Sequence, residues 1–561
     1  MIDHAVIRER SLTTVESPIL HRMIQEDVTV SYTGFKLCLR FMAMAVAGLL
    51  VAPSAATAES FAFRQSLAEA VADDRAVAAF YRDRGYESIW TDPVDARRRA
   101  ALLTALLAAG DHGLPAGRYR SEALMAALGS VNTEEQRAMV EARMTRTFLS
   151  YTRDIQTGVL TPSDVDSEIV RKVKRRAPAG ILDSFSRADP VAFLRALPPQ
   201  TGEYARLMRE RHRLVDLIAA DGWGPGVPDG KYELGDTGPG VIALRNRLIA
   251  MGYMPRTAEP SFDHRLQSAV IAFQSDHGLL TDGVVGPGTL RALNTRPEER
   301  LRSVVVAMER ERWLNIDRGD RHIWVNLADF SAKVIDDGKV TFQTRSVVGM
   351  NAKDRRSPEF SDEMTHMVIN PSWFVPRSIS TKEYLPELQQ NPNAVSHLDV
   401  LDRQGRIVDR SAVDFSQFTR ATFPFSMKQR PGSANALGKV KFMFPNRWNI
   451  YLHDTPQKSL FSREVRDFSH GCIRLNDPFG FAYTLLARQT DDPQGYFHRV
   501  LNTGRETRVS LKDPVPVHLV YRTAMMPARG KAQYRADIYG RDGRIFDALS
   551  RAGLVLPALQ S

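Results

Sequence analysis

From residue 59 to about 230 the apolar positions recur at helical spacing. Val140, Met144, Phe148, Tyr151 and Ile155 fall on one helical face. Short Gly/Pro punctuation separates such segments, as at His112-Gly113-Leu114-Pro115 and from Gly158 to Pro162. No cluster of catalytic residue types stands out here, so 59–230 reads as a helical scaffold. Asp221 through Gly230, rich in Gly and Pro, marks a boundary. Two amphipathic helices follow. Val241, Leu244, Leu248 and Met251 share a face of the first; Leu266, Ala269, Val270 and Phe273 form the i, i+3, i+4, i+7 set of the second. After the turn-rich Asp282-Gly283-Val284-Val285-Gly286-Pro287, a third short helix starts at Thr289. Residues 234–296 thus predict a three-helix module near the lower size limit for independent folding.

From residue 322 the period changes to that of strands. His322–Leu327 is β-rich, and Val334-Ile335 and Val340–Phe342 flank the hairpin signal Asp337-Gly338. Further strand candidates are Thr365–Ile369, Val440–Phe444, Asn449–Leu452, Thr507–Leu511 and Val515–Tyr521. Residues 375–435 interrupt this pattern with mixed, turn-rich sequence and read as an insertion over the sheet. The expected fold class is multi-domain α+β: helical scaffold, three-helix module, and a mainly-β domain over 300–561 carrying the inserted lid.

Length agrees with that division, since 561 residues at roughly 150 per domain suggest three to four domains. With 43% hydrophobic and 25% charged residues, a wholly disordered chain is excluded. The one continuous apolar stretch, near residue 41, is too short to span a bilayer comfortably, which excludes a polytopic membrane protein. It reads as a secretory signal. Lys36 and Arg40 form the basic region, Phe41–Val51 is uncharged, and Ala56-Thr57-Ala58 is a small-x-small cleavage site. Residues 1–58 would then be leader and signal, with Met23 and Met42 as alternative starts; an uncleaved anchor is the other reading. The net charge of +10 suits attraction to an anionic polymer or simple solubility. No Lys/Arg run with interleaved aromatics suggests nucleic acid.

Cysteine usage narrows the chemistry. There are two, Cys38 and Cys472, and Cys38 lies in the signal. The exported chain would hold one thiol and no internal disulfide, so Cys472 is either inert or a nucleophile. It sits in Phe468-Ser469-His470-Gly471-Cys472-Ile473-Arg474-Leu475, with His470 two residues away and His453 19 residues upstream at the end of a predicted strand. A thiol attacks as thiolate and needs a base or a positive neighbour. Gly471 permits a turn that aims the Gly471 and Cys472 N–H groups at one point, an oxyanion hole. Residue types alone leave three readings open: nucleophile, inert thiol, or a zinc site of His453, Asp454, His470 and Cys472.

Two resemblances shift the balance. Phe262-Asp263, Leu266-Gln267, Ala269-Val270, Phe273-Gln274, His277-Gly278-Leu279, Asp282–Pro287 and Thr289-Leu290 resemble the peptidoglycan-binding module of cell-wall enzymes. His453 followed by Ser469-His470-Gly471-Cys472-Ile473-Arg474 resembles the signature of the L,D-transpeptidase catalytic domain. The wider likeness, to large multi-domain periplasmic members, includes Ser357–Ser361, Asn370–Pro376, Arg430–Gly438, Phe442–Pro445 and Tyr451–Pro456.

That resemblance implies acyl transfer on peptidoglycan stem peptides. Cys472 would attack the third stem residue, release D-alanine and pass the acyl group to a diaminopimelate amine, with His453 as base. Gly471 and Cys472 would hold the oxyanion, and Ser469, His470, Arg474, Trp373 and Asn435 would bind substrate. It implies no cofactor, no metal, peptidoglycan stem peptides and glycan as partners, carbapenem sensitivity and a periplasmic location. Hydrolysis (an L,D-carboxypeptidase), attachment of a lipoprotein to the wall, and a non-catalytic wall-binding protein are the alternatives. The group orienting His453 stays open between Asp454 and a backbone carbonyl, and the oligomeric state is unassigned.

Overall fold

The structure, a computed structural model, describes residues 61–556. The expected signal, its cleavage site and Cys38 lie outside them. No helix among the described residues is long and apolar enough to cross a membrane.

The helical region is organised around α1 (Glu134–Thr157). Its start is fixed by Thr133, whose side chain accepts the Gln136 N–H, and it stops at Gly158, φ 89°. The face predicted from spacing is the buried one: Met144, Phe148 and Ile155 are fully enclosed. Phe148 packs on Phe185 with centroids 4.4 Å apart, and Phe185 stacks on Trp90 at 5.1 Å.

α2 (Gly202–Ala219) leads to the small module: α3 (Pro239–Ala250), α4 (His264–Asp276) and α5 (Pro287–Asn294). Asp263 caps α4 through the Leu266 N–H, and α3 and α5 each start on a proline, where a missing N–H costs nothing. The chain then returns through α6 (Pro297–Trp313), which packs on α2. A Cβ on Gly222, just after α2, would lie 3.3 Å from Pro297, the first residue of α6. The module is therefore an excursion whose two ends meet. Leu207 and Leu214 of α2, Val304 and Val305 of α6, and Ile545 and Leu549 from the C-terminal helix share one core. The scaffold and the sheet domain are joined there by packing rather than by a free linker.

The sheet domain has strands β1 (Arg321–Asn326), β2 (Ser331–Asp336), β3 (Lys339–Gly349), β4 (Phe360–Ile369), β5 (Trp373–Phe374), β6 (Asp399–Leu401), β7 (Ser426–Gln429), β8 (Val440–Met443), β9 (Leu452–His453), β10 (Asp467–Ser469), β11 (Ile473–Leu475) and β12 (Thr507–Val520). The main sheet runs β10-β3-β11-β9-β8-β4-β12-β1-β2, and β2 also pairs with β3, so it closes on itself. Asp337 and Gly338, φ 49° and 74°, make the β2–β3 turn that the sequence predicts. Two expectations differ. Thr507–Leu511 and Val515–Tyr521 are one strand, β12, whose pairing with β4 shifts register between Ser510 and Val515. Pro514 lies in that gap and has no N–H for the ladder, so the strand bulges there instead of ending. Asn449–Leu452 is strand only at Leu452; Asn446 Oδ1 accepts the Trp448 and Ile450 N–H groups and holds a turn ahead of it.

The 375–435 insertion has its own core, with Ile379, Leu385, Leu388, Val400, Phe415, Phe423 and Met427 buried together. Its small sheet, β5-β7-β6, begins on the strand bearing Trp373.

Candidate active site

Strand alternation decides what meets at the centre. In β9, β11 and β8, Leu452, Ile473 and Phe442 point into the barrel core. Their neighbours must point the other way. Lys441 pairs with His453, and His453 with Arg474, so these three form one row across three strands. Cys472 and Tyr451 lie one step back on the same face. All five line a cavity of about 870 Å³, roofed by Trp373, Val375, Arg377, Glu383 and Tyr384 from the insertion and its edge.

The His453 Nδ1–H donates to the carbonyl oxygen of Asp454. A carbonyl can only accept, so Nε2 carries the lone pair. This carbonyl orients the imidazole; the Asp454 carboxylate is occupied elsewhere. Its oxygens accept from Lys439 N–H and Lys458 Nζ, both at 2.8 Å. Burial, with Arg474, Lys441 and Lys458 nearby, lowers His453 to about 3, so it is neutral.

The Cys472 thiol donates to Asn449 O at 3.5 Å. Burial pushes it up to about 11, against the opposing pull of the Tyr451 N–H and hydroxyl and the charges of Arg474 and Lys441. The resting pair is thus neutral thiol and neutral imidazole. Gly471, φ 114°, makes the turn that delivers Cys472, and a Cβ there would meet Ile450 Cδ1 at 3.1 Å. The Gly471 carbonyl is fixed by Ser357 Oγ at 2.7 Å, which itself accepts the Gly349 N–H at 2.9 Å. The Gly471 and Cys472 N–H groups have no protein acceptor among the described residues.

Of the expected substrate contacts, Ser469, His470, Arg474 and Trp373 line the cavity. His470 is held by Glu383, 2.7 Å away. Arg474 gives one nitrogen to Gln457 Oε1 at 2.6 Å and keeps a buried, unpartnered Nε. Asn435 does not line it. It is buried, donating to Arg430 O at 2.9 Å and Pro371 O at 3.1 Å and accepting the Leu437 N–H at 2.8 Å. It braces a loop, and its expected role as a substrate contact is corrected. The zinc alternative lacks geometry, because His453, His470 and Asp454 are each committed to a different protein partner. Sequence reading missed Lys441, Tyr451 and Glu383. Tyr451 stood inside a quoted motif, but Lys441 and Glu383 carried no local signal.

Comparisons with known proteins identify the domains. Residues 320–517 match the L,D-transpeptidase catalytic domain, 237–293 match a family described as "Putative peptidoglycan binding domain", and 75–210 match a Scaffold domain. A Haemophilus influenzae protein named "Putative L,D-transpeptidase" is 31% identical over 242 residues, 43% of this chain and 48% of the relative. The chain thus spans about half the length of that curated relative. Solved L,D-transpeptidase structures from Xylanimonas cellulosilytica and Stackebrandtia nassauensis are 16% and 14% identical. Each covers 53% of this chain, with 98% and 96% of their own chains matched, at TM-scores of 0.16 and 0.21. The family matches, not these structures, identify the domains.

Proposed function

Because the chain carries an L,D-transpeptidase catalytic domain and a peptidoglycan-binding domain, we propose that it is a cysteine-dependent L,D-transpeptidase that forms 3→3 cross-links in the wall of the periplasm, to which its signal exports it. One observation carries this reading: Cys472 and His453, from separate segments, face one cavity with Nε2 free to accept a proton.

In the reaction, Cys472 Sγ attacks the carbonyl of the third residue of a tetrapeptide stem while its proton passes to His453 Nε2. The S–C bond forms, and the carbonyl oxygen becomes an oxyanion held by the Gly471 and Cys472 N–H groups. Collapse breaks the C–N bond to D-alanine, whose nitrogen takes the proton from Nε2. A diaminopimelate amine then attacks the thioester and gives a proton to Nε2; the new C–N bond forms, the C–S bond breaks, and the departing sulfur takes that proton back as the thiol. No cofactor takes part. Arg474 suits a stem carboxylate, since its planar fork pairs bidentately.

The test is incubation with a disaccharide-tetrapeptide. Intact-mass spectrometry should show a tripeptidyl adduct lost in Cys472→Ala, and product analysis should show dimers lacking one D-alanine. Only free tripeptide would make it an L,D-carboxypeptidase; no adduct would defeat the reading.

A further inference from the structure

The row Lys441–His453–Arg474 holds two cations either side of one neutral base. Lys441 is half-buried, and its ammonium makes no hydrogen bond or ion pair among the described residues. Two lysines outside the lining do: Lys458 has Asp454 at 2.8 Å, and Lys382 has Asp354 at 3.4 Å. The cavity's two carboxylates are spoken for. Asp354 faces Lys382, and Glu383 faces both Arg355, at 2.8 Å, and His470. Glu506 acts on Lys441 through space only. Burying a charge without a partner is costly, and burial does depress the Lys441 pKa. Arg474 is in a similar position, with its unpartnered Nε. The cavity therefore has an excess of positive charge that a ligand must complete.

Position assigns different carboxylates to the two. Arg474 lies two residues along the strand from Cys472, beside whatever acyl group stays on sulfur. Lys441 lies on the far side of His453 from Arg474, one strand spacing of about 4.8 Å from His453. The amine that leaves must sit at His453 Nε2 to take its proton. In an α-amino acid the carboxylate is two bonds from that nitrogen, which brings it to Lys441. Resting on the transpeptidase reading above, we infer that Lys441 is a specificity-determining residue that pairs with the terminal carboxylate of the departing residue. The enzyme thereby selects stems that end one residue after the attacked carbonyl and in a free acid.

The experiment compares a soluble tetrapeptide stem ending in free D-alanine with the same peptide ending in D-alanine amide, for the wild-type enzyme, Lys441→Met and Lys441→Arg. The readout is D-alanine or D-alanine amide release. Wild type should favour the acid by about ten- to a hundredfold in kcat/KM, the range of a charge-assisted hydrogen bond. Lys441→Met should react with both peptides at a similar kcat/KM, and Lys441→Arg should restore part of the preference. Because Lys441 also bears on the thiol, the acid-to-amide ratio is read rather than the absolute rate. A Lys441→Met enzyme that keeps the wild-type preference overturns the inference while leaving the transpeptidase reading intact. A wild type that releases neither product overturns both.

Discussion

His470 Nε2 lies 2.7 Å from Glu383 Oε1, and the Arg355 guanidinium lies 2.8 Å from the same oxygen. One carboxylate on the 375–435 insertion thus ties that wall to the turn carrying the nucleophile. His470 is spent on this latch, so the imidazole next to the cysteine in sequence is not the one placed to activate it.

If the latch keeps the cavity closed to water, Glu383→Gln should raise the ratio of hydrolysed tripeptide to cross-linked dimer. Partly exposed pairs are worth about 0–1 kcal/mol each, so a severalfold change is expected. Chromatography of the products measures it, and an unchanged ratio would show that the contact is only structural.

Cys472→Ala should lose all adduct formation while melting close to the wild-type temperature, since the side chain faces the cavity and not the barrel core. Thermal melting together with intact mass separates loss of chemistry from loss of fold. Cross-linking by this variant would end the assignment.

The pH dependence follows from the neutral resting pair. With His453 lowered to about 3, the base form is present throughout the working range, so wild-type acylation by a carbapenem should be nearly flat from pH 6 to 9. The thiol, raised to about 11, ionises unaided only at high pH. In His453→Ala the rate should be far lower at pH 7 and climb about tenfold per pH unit. Intact-mass kinetics would reveal the slope; an equal rate at pH 7 would remove His453 as base.

Excising residues 223–296 should leave turnover of a soluble tetrapeptide while weakening binding to sacculi. Gly222 and Pro297 lie close together, a Cβ on Gly222 falling 3.3 Å from the proline ring, so a short linker can join α2 to α6. Stability should fall, because the module docks on the sheet domain: Leu280 N–H donates to Glu464 at 3.2 Å, Arg535 donates to Asp276 O at 2.7 Å, and His277 stacks over Tyr534. Differential scanning calorimetry would record the loss. A folded excision variant without small-substrate turnover would place the module in the active site.

Periodicity alone determined the order of elements here. The helical face of α1, the three helices of the module and the Asp337-Gly338 hairpin are local properties, because spacing along the chain sets which residues share a face. The cysteine motif likewise named the nucleophile and its two candidate bases. What it could not decide was which partner each group takes. That depended on β9 and β11 lying side by side in a register that pairs His453 with Arg474, and on β8 adding Lys441 to the row. Glu383 reaches His470 across 87 residues of sequence, and Asn435 turns inward to brace a loop although its motif suggested a substrate contact. Hydrogen bonds and burial between distant segments exist only once strands have paired. The choice of His453 over His470, the backbone carbonyl over the Asp454 carboxylate, and the unpaired Lys441 therefore belong to the tertiary structure.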